Sequence, residues 1–340
     1  MNRGVALAVF ASYFAIIAVL LGTLLKILLR QYVLQKDSPK RKRAAMFTLL
    51  AIGSFIHTWY YMFRFMEWSF KDYESKLEDI NGAFLDRLSH WLINTALFEQ
   101  AWYTVCSEPI KWWFSEQLCS YTVGAWTIFI FVEAKRHKIR YAWTYMLLGQ
   151  LVAISVASNL FYIAVSLSTP RPIKSRAASP VLWLSILLSL LAVSYTPFTN
   201  ERTFLPNLLV MHTLAAIPLL LGRYIDISRF RLSFSSLYLL VFIITASIHT
   251  WSTLVLYQYL DEPIVGALWR TLHSHPAQSS IGWDIIWTSA SFVVWAMTFK
   301  ATNPVPLLVT AFTSVGPMAS ALAFLGDGNE GRIQVSSKAA

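Results

Sequence analysis

Charge is the scarcest thing in this chain of 340 residues. Asp, Glu, Lys and Arg together make up 14%, against 56% hydrophobic residues. An ordinary soluble domain carries about a quarter charged residues, so this composition points away from one. Cysteine is nearly absent. Cys106 and Cys119 form no metal spacing and no disulfide framework, and they read as free thiols. Long polar stretches are missing as well. The longest, 67–90 and 257–280, are too short for a separate soluble domain. The alternating segments of about ten residues that build a membrane β-barrel do not occur either.

What the chain has is apolar length. Residues 5–25 carry no charge over 21 positions, and a helix needs about 20 such residues to cross the hydrocarbon core. A cleavable signal peptide has an apolar stretch of only about 7–15 residues and a small-residue cleavage site, so 5–25 reads as a first span. Further apolar blocks lie near 45–66, 91–106, 117–133, 141–168, 181–197, 206–222, 234–256, 281–299 and 305–325. Lipid offers no partner for open backbone groups, so the spans must be helical. The predicted fold is therefore all-α: one polytopic integral membrane helix bundle over 1–326, with about nine or ten transmembrane helices and a disordered tail at 327–340.

The net charge is +10, and the basic residues cluster at 36–43, 134–140, 171–176 and 223–231. Each cluster is short and sits between apolar blocks, which fits the positive-inside rule better than nucleic-acid binding. With ten spans, three clusters fall on the cytosolic side. Residues 134–140 then land on the wrong side, so either a span is miscounted or that loop breaks the rule. Segment 67–90 faces away from the cytosol and carries six carboxylates against Lys71, Lys76 and Arg87.

Polar residues inside apolar runs are costly, and they are where function is sought in a membrane protein. The tetrapeptide Ile-His-Thr-Trp occurs twice mid-span, with His57 and Trp59 in one copy and His249 and Trp251 in the other. Each follows a basic loop, and each precedes a span carrying an acid followed three residues later by Trp: Glu99 with Trp102, and Asp284 with Trp287. These units define a parallel internal repeat, 45–106 and 234–299. Helical spacing puts Thr95, Glu99, Trp102 and Cys106 on one face, and Asp284, Trp287, Thr288, Ser291 and Trp295 on another. Glu99 reads as a catalytic carboxyl. Asp284 reads either as its counterpart or as an interfacial cap. Gln150, Ser155, Ser158, Asn159, Tyr162 and Ser166 form one polar stripe, open to two readings: a cavity lining or helix-to-helix glue. Glu67, Asp261 and Glu262 rank lower, Glu67 because Arg64 stands one turn away. His273 and His275 lie in a loop without a third ligand, and no metal site is expected.

Two carboxyls in an apolar, aromatic-walled cavity suggest acid catalysis on a lipid-like molecule. A carboxyl removed from water favours its proton-bearing form, and tryptophan faces steady a carbocation without quenching it.

The phrases FIHTWYYMFRFMEWSF, WLINTALFEQAWYTV, KWWFSEQ and YAWTYMLLGQLVAISVASNLFY resemble the fungal membrane-bound terpene cyclases of meroterpenoid pathways, of the ascofuranone, ascochlorin and macrophorin type. The similarity runs over roughly 45–300. It implies cyclisation of the farnesyl chain of a phenol or cyclohexenone core, started by protonation of a terminal epoxide or olefin. It implies no cofactor, an upstream epoxidase as partner enzyme, and an endoplasmic reticulum membrane. The chain has no Asp-Asp-x-x-Asp, Asn-Asp-x-x-Asp or Asp-x-Asp-Asp motif, which suits a substrate without diphosphate. The rival expectation is a multi-span transporter of a hydrophobic metabolite; a non-catalytic scaffold would not need two buried carboxyls.

Overall fold

A computed structural model describes residues 2–77, 82–172, 177–221, 231–300 and 314–336. The architecture is all-α. Helix α1 (Arg3–Leu34) leads into α2 (Ser38–Ser75), and the two touch through Phe14, Trp59 and Phe63. Short helices α3 (Phe84–Asn94) and α4 (Leu97–Cys106) follow. Next, α5 (Pro109–Tyr121) continues through a π-helical turn at Thr122–Trp126 into α6 (Thr127–Arg136). Helices α7 (Ala142–Leu151) and α8 (Ile154–Leu167) come next, then α9 (Pro180–Tyr195) and α10 (Phe204–Leu221). The chain continues with α11 (Phe234–Gln258), α12 (Ile264–Ser274), α13 (Pro276–Lys300) and α14 (Val315–Ser336). Two residues, Ala177 and Ala178, pair antiparallel with Ser233 and Leu232.

The starts of these helices are written locally. Asp37 caps α2, its side chain accepting from the Lys40 N–H at 3.3 Å, and Pro39 sits in the first turn. Ser233 caps α11 in the same way. Pro109 and Pro276 open α5 and α13, where a missing N–H costs nothing.

Four helical stretches are long and apolar enough to cross a membrane: Arg3–Leu34, Pro180–Phe198, Phe204–Leu221 and Phe234–Gln258. Their faces are largely uncovered, with Val19 67% and Leu29 65% exposed on α1. Two of the predicted spans are corrected. Block 91–106 is not one helix, because the chain extends at Thr95 (φ −120°, ψ 139°) between α3 and α4. Block 141–168 does not cross the bundle at all. The Arg171 N–H donates to the Arg136 carbonyl at 2.9 Å, and His137 Nδ1 lies 2.7 Å from Ser168 Oγ. Both ends of α7–α8 therefore lie at the same end of the bundle. The pair dips inward, turns at Val152–Ala153, and returns as a re-entrant hairpin. Gly149 lets the two arms close, since a Cβ there would stand 2.8 Å from Ile154 Cδ1 and 3.2 Å from Ala157 Cβ.

The hairpin brings the basic segments to one end. Lys40 Nζ donates to Thr169 Oγ1 at 3.2 Å, and Gln35 Nε2 to the Leu167 carbonyl at 2.8 Å. So 36–43, 134–140 and 168–172 share one end, and the pairing of 177–178 with 232–233 gathers the next two connections there. Segments 173–176 and 222–230 themselves lie outside the described residues. The opposite end is knit by acidic groups. Arg87 holds Glu74 through two bonds of 2.6 and 2.7 Å, and Arg3 lies 3.3 Å from Asp86. The misfit of 134–140 disappears once 91–106 is not a crossing, and the hairpin at 141–168 keeps 168–172 at the same end. The expected tail at 327–340 is helical to Ser336, and 337–340 lie outside the described residues.

Candidate functional site

A cavity of about 320 Å³ lies at the tip of the hairpin. Its walls come from α1 (Tyr13), α2 (Thr58, Met62, Phe65), α4 (Phe98, Ala101, Trp102, Val105), α5 and its π turn (Leu118, Cys119, Thr122, Val123), the turn from Gly149 to Ile154, α10 (Met211, His212) and α13 (Ala277, Ser280, Ile281, Asp284). Most of this lining is apolar or aromatic. Pockets for small molecules run from about 300 to 1,000 Å³, and this one lies at the small end of that range.

Asp284 is the carboxyl among the lining residues, and it is 6% exposed. Its two oxygens accept the N–H groups of Ile154 and Ser155 at 2.9 and 2.8 Å. These are the first donors of α8, left open because Ala153 is fully extended (φ −172°, ψ 140°) and carries no capping side chain. A carboxyl group from α13 thus does the work of an N-cap for a helix that ends inside the bundle. Asp284 is therefore a cap, of a helix inside the bundle rather than at an interface, and it also lines the cavity. A carboxylate has about four lone-pair sites, so two remain for a ligand.

Glu99 is placed differently. It sits in the first turn of α4, partly exposed, and its neighbours Phe98, Ala101 and Trp102 line the cavity while it does not. The break at Thr95 rotates α4 away from the continuous face on which Thr95, Glu99, Trp102 and Cys106 were expected. Trp102 and Gln150 do line the cavity. Gln150 Nε2 donates to the His212 carbonyl at 3.1 Å, and the Trp102 ring meets the His212 ring edge-on at 5.4 Å.

The two Ile-His-Thr-Trp histidines lie outside the lining and make separate contacts. His57 Nδ1 accepts from Trp287 Nε1 at 3.2 Å, and its ring lies 4.2 Å from that of Trp283. Trp59 is buried among Phe14, Phe55 and Phe63, whereas Trp251 is 40% exposed against Phe198. Asn159 Nδ2 donates to the Ser155 carbonyl and to Ser291 Oγ, each at 2.9 Å, and Tyr162 lies against Tyr121. Beyond Gln150, then, Asn159 and Tyr162 join helices, while Ser158 and Ser166 bond back to carbonyls of their own helix. Glu67 is spent on Arg64 and Lys71, at 2.9 and 2.6 Å. Glu262 pairs with Arg270, and Asp261 is exposed in the α11–α12 turn. His275 meets Trp68 edge to face at the α12–α13 junction, where burial, then Lys111, pull its ring below the usual histidine range.

Two residues escaped sequence reasoning. Glu116 on α5 is fully buried; its Oε1 lies 2.6 Å from His249 Nδ1 and accepts from Ser252 Oγ at 3.1 Å. The signal was present in KWWFSEQ: Glu116 stands seven residues after Pro109, and Asp284 eight after Pro276. Counted from those prolines, Glu116 falls on Trp283, one residue before Asp284, so it is nearer than Glu99 to the counterpart of Asp284. The second residue is His212, whose two ring nitrogens are buried without a hydrogen-bond partner among the described residues.

A family model described as a protein of unknown function, DUF2834, matches residues 46–166. That stretch runs from early α2 to the end of α8. No curated protein and no solved structure matches the chain.

Proposed function

We propose that this chain is a multi-pass membrane enzyme, a terpene cyclase acting on the farnesyl chain of a lipophilic phenol or cyclohexenone. The observation that carries the proposal is the cavity itself: apolar and aromatic walls around one carboxyl, Asp284, deep in a bundle of uncovered apolar helices. Asp284 gives its proton to the oxygen of a terminal epoxide, the C–O bond opens, and the cation is captured by successive double bonds of the folded chain. Trp102, Phe65 and Phe98 steady the charge and keep water away. Loss of one proton ends the sequence, so substrate and product are isomers. The resemblance of 45–300 to fungal meroterpenoid cyclases supports the same chemistry.

The membrane assignment rests on the four apolar helices and on the gathering of basic segments at one end. By the positive-inside rule that end faces the cytosol. An endoplasmic reticulum membrane suits a substrate delivered through lipid by an upstream epoxidase.

One observation favours a transporter instead. Helices broken at a mid-bundle site are a transporter feature, where a free helix N-terminus faces the cargo. Here the N-terminus of α8 is already occupied by Asp284, which weakens that reading. The test is to supply an epoxidised farnesyl-phenol to microsomes carrying the wild type or Asp284→Asn. The expected result is a cyclised isomer from the wild type alone. Equal product from the variant removes Asp284 from the chemistry, and no product from folded wild type favours transport.

A further inference from the structure

We infer that His212 is the base that ends the reaction, taking the last proton from the cyclised cation. The inference rests on the cyclase reading above and names a residue for its final step.

Ending a cation cascade needs a proton acceptor inside a cavity that is otherwise poor in bases. Gln150 carries an amide, which is not basic. The Tyr13 hydroxyl donates to the Leu151 carbonyl at 2.7 Å. The Asp284 carboxylate, once it has given up its proton, is the other acceptor, tied to the hairpin tip by two backbone N–H groups of α8. His212 is different. It enters from α10, and it alone among the lining residues has buried side-chain polar atoms without a partner among the described residues. A neutral imidazole always offers one acceptor nitrogen, and buried polar atoms are rarely left unmatched unless a ligand meets them. Trp102, 5.4 Å away ring to ring, lies within the range at which an aromatic ring steadies a cation. That serves the imidazolium as it forms.

The step balances. A C–H bond next to the cationic carbon breaks, its electron pair becomes the new C=C bond, and the proton moves to the free ring nitrogen. Asp284 has lost one proton to the epoxide oxygen and His212 has gained one. Exchange with solvent after product release restores both groups.

The test reads product identity rather than yield. His212→Asn and His212→Phe microsomes receive the epoxidised farnesyl-phenol, and products are separated by mass and olefin position. The expected outcome is continued consumption of substrate, with the wild-type olefin falling at least tenfold relative to water-captured alcohols and isomeric olefins. Both variants giving the wild-type olefin alone would overturn the inference. Should neither variant fold, acylation of wild type by diethyl pyrocarbonate with peptide mapping decides: the substrate should shield His212 from the reagent, and undiminished acylation in an active enzyme refutes it. A folded wild type that shields His212 but makes no cyclised product sinks the cyclase reading, and this inference with it.

Discussion

Asp284 is a cap and, in the proposed reaction, the acid, and two substitutions pull these roles apart. Asp284→Ala removes the acceptor of two buried N–H groups, those of Ile154 and Ser155. Each unsatisfied buried donor costs about 1–3 kcal/mol, so the loss is about 2–6 kcal/mol and falls on the hairpin tip. Asp284→Asn keeps one acceptor oxygen and sets an amide NH₂ against the other N–H. It should cost about 1–3 kcal/mol, half the alanine value. The chemical consequence runs the other way. An amide has no proton to give, and removing a general acid costs about 10²–10⁴ in rate. Thermal melting of detergent-purified protein should therefore rank wild type, Asn, Ala, whereas product formation per folded molecule should be nearly abolished in both variants. A role as cap alone predicts that activity follows stability, with Asn close to wild type at low temperature. Product from Asp284→Asn within threefold of wild type, per folded molecule, would refute the acid role and leave only the cap.

Glu99→Gln should keep wild-type product and change stability by no more than about 0.5 kcal/mol, as a partly exposed group away from the cavity does; loss of product in a folded variant would return Glu99 to the site. His249→Ala leaves Glu116 buried without its main partner and should destabilise by about 3–5 kcal/mol, read as a drop in melting temperature that His249→Ala with Glu116→Gln largely recovers. Gly149→Val drives a side chain into Ile154 and Ala157 and should cost about 1–3 kcal/mol through overpacking, with the hairpin more open to proteolysis. Single cysteines at Lys42, Lys138 and Arg171, in a chain with Cys106 and Cys119 replaced by Ala, should all react with an impermeant maleimide from the cytosolic side, and one at Asp86 only from the other; opposite sidedness of 138 and 171 would abolish the re-entrant hairpin. Because its folded state favours the neutral ring, His275 binds protons more readily in the unfolded chain, so its contribution to stability should fall as pH drops below about 6.5, and His275→Gln should flatten that part of the melting profile.

The helices were legible because apolar length is a strong and local signal. The hairpin was not, for a reason that lies far along the chain. Block 141–168 is continuously apolar, with no proline or charge to mark a turn. The turn at Val152–Ala153 is stabilised by a carboxyl 130 residues further on, which no local pattern can announce. His249 was recognised as a buried polar group, but its partner Glu116 was passed over because the repeat was registered on Glu99. His212 lies in NLLVMHTLAAI without a periodic polar neighbour, and only the closing of α10 onto α4 and α7 gives it meaning.

The two units contribute unequally to the cavity. Helices α2, α3 and α5 recur in order as α11, α12 and α13. Helices α3 and α12 are both 11 residues long with one apolar face, and a proline opens both α5 and α13. The units interlock crosswise: His57 of the first meets Trp283 and Trp287 on α13, and His249 of the second meets Glu116 and Trp113 on α5. The exception is α4, which stands between α3 and α5, while α12 leads almost directly into α13. That added helix supplies Phe98, Ala101, Trp102 and Val105 to the cavity wall. Symmetry would have given each half an equivalent acid. Instead, His249 and Ser252 engage Glu116 behind the wall, while Asp284 meets the hairpin tip and the opening that α4 helps to line. The inserted helix thus breaks the symmetry of the two units: one carboxyl is engaged by His249 and Ser252, and the other caps the hairpin tip and lines the cavity.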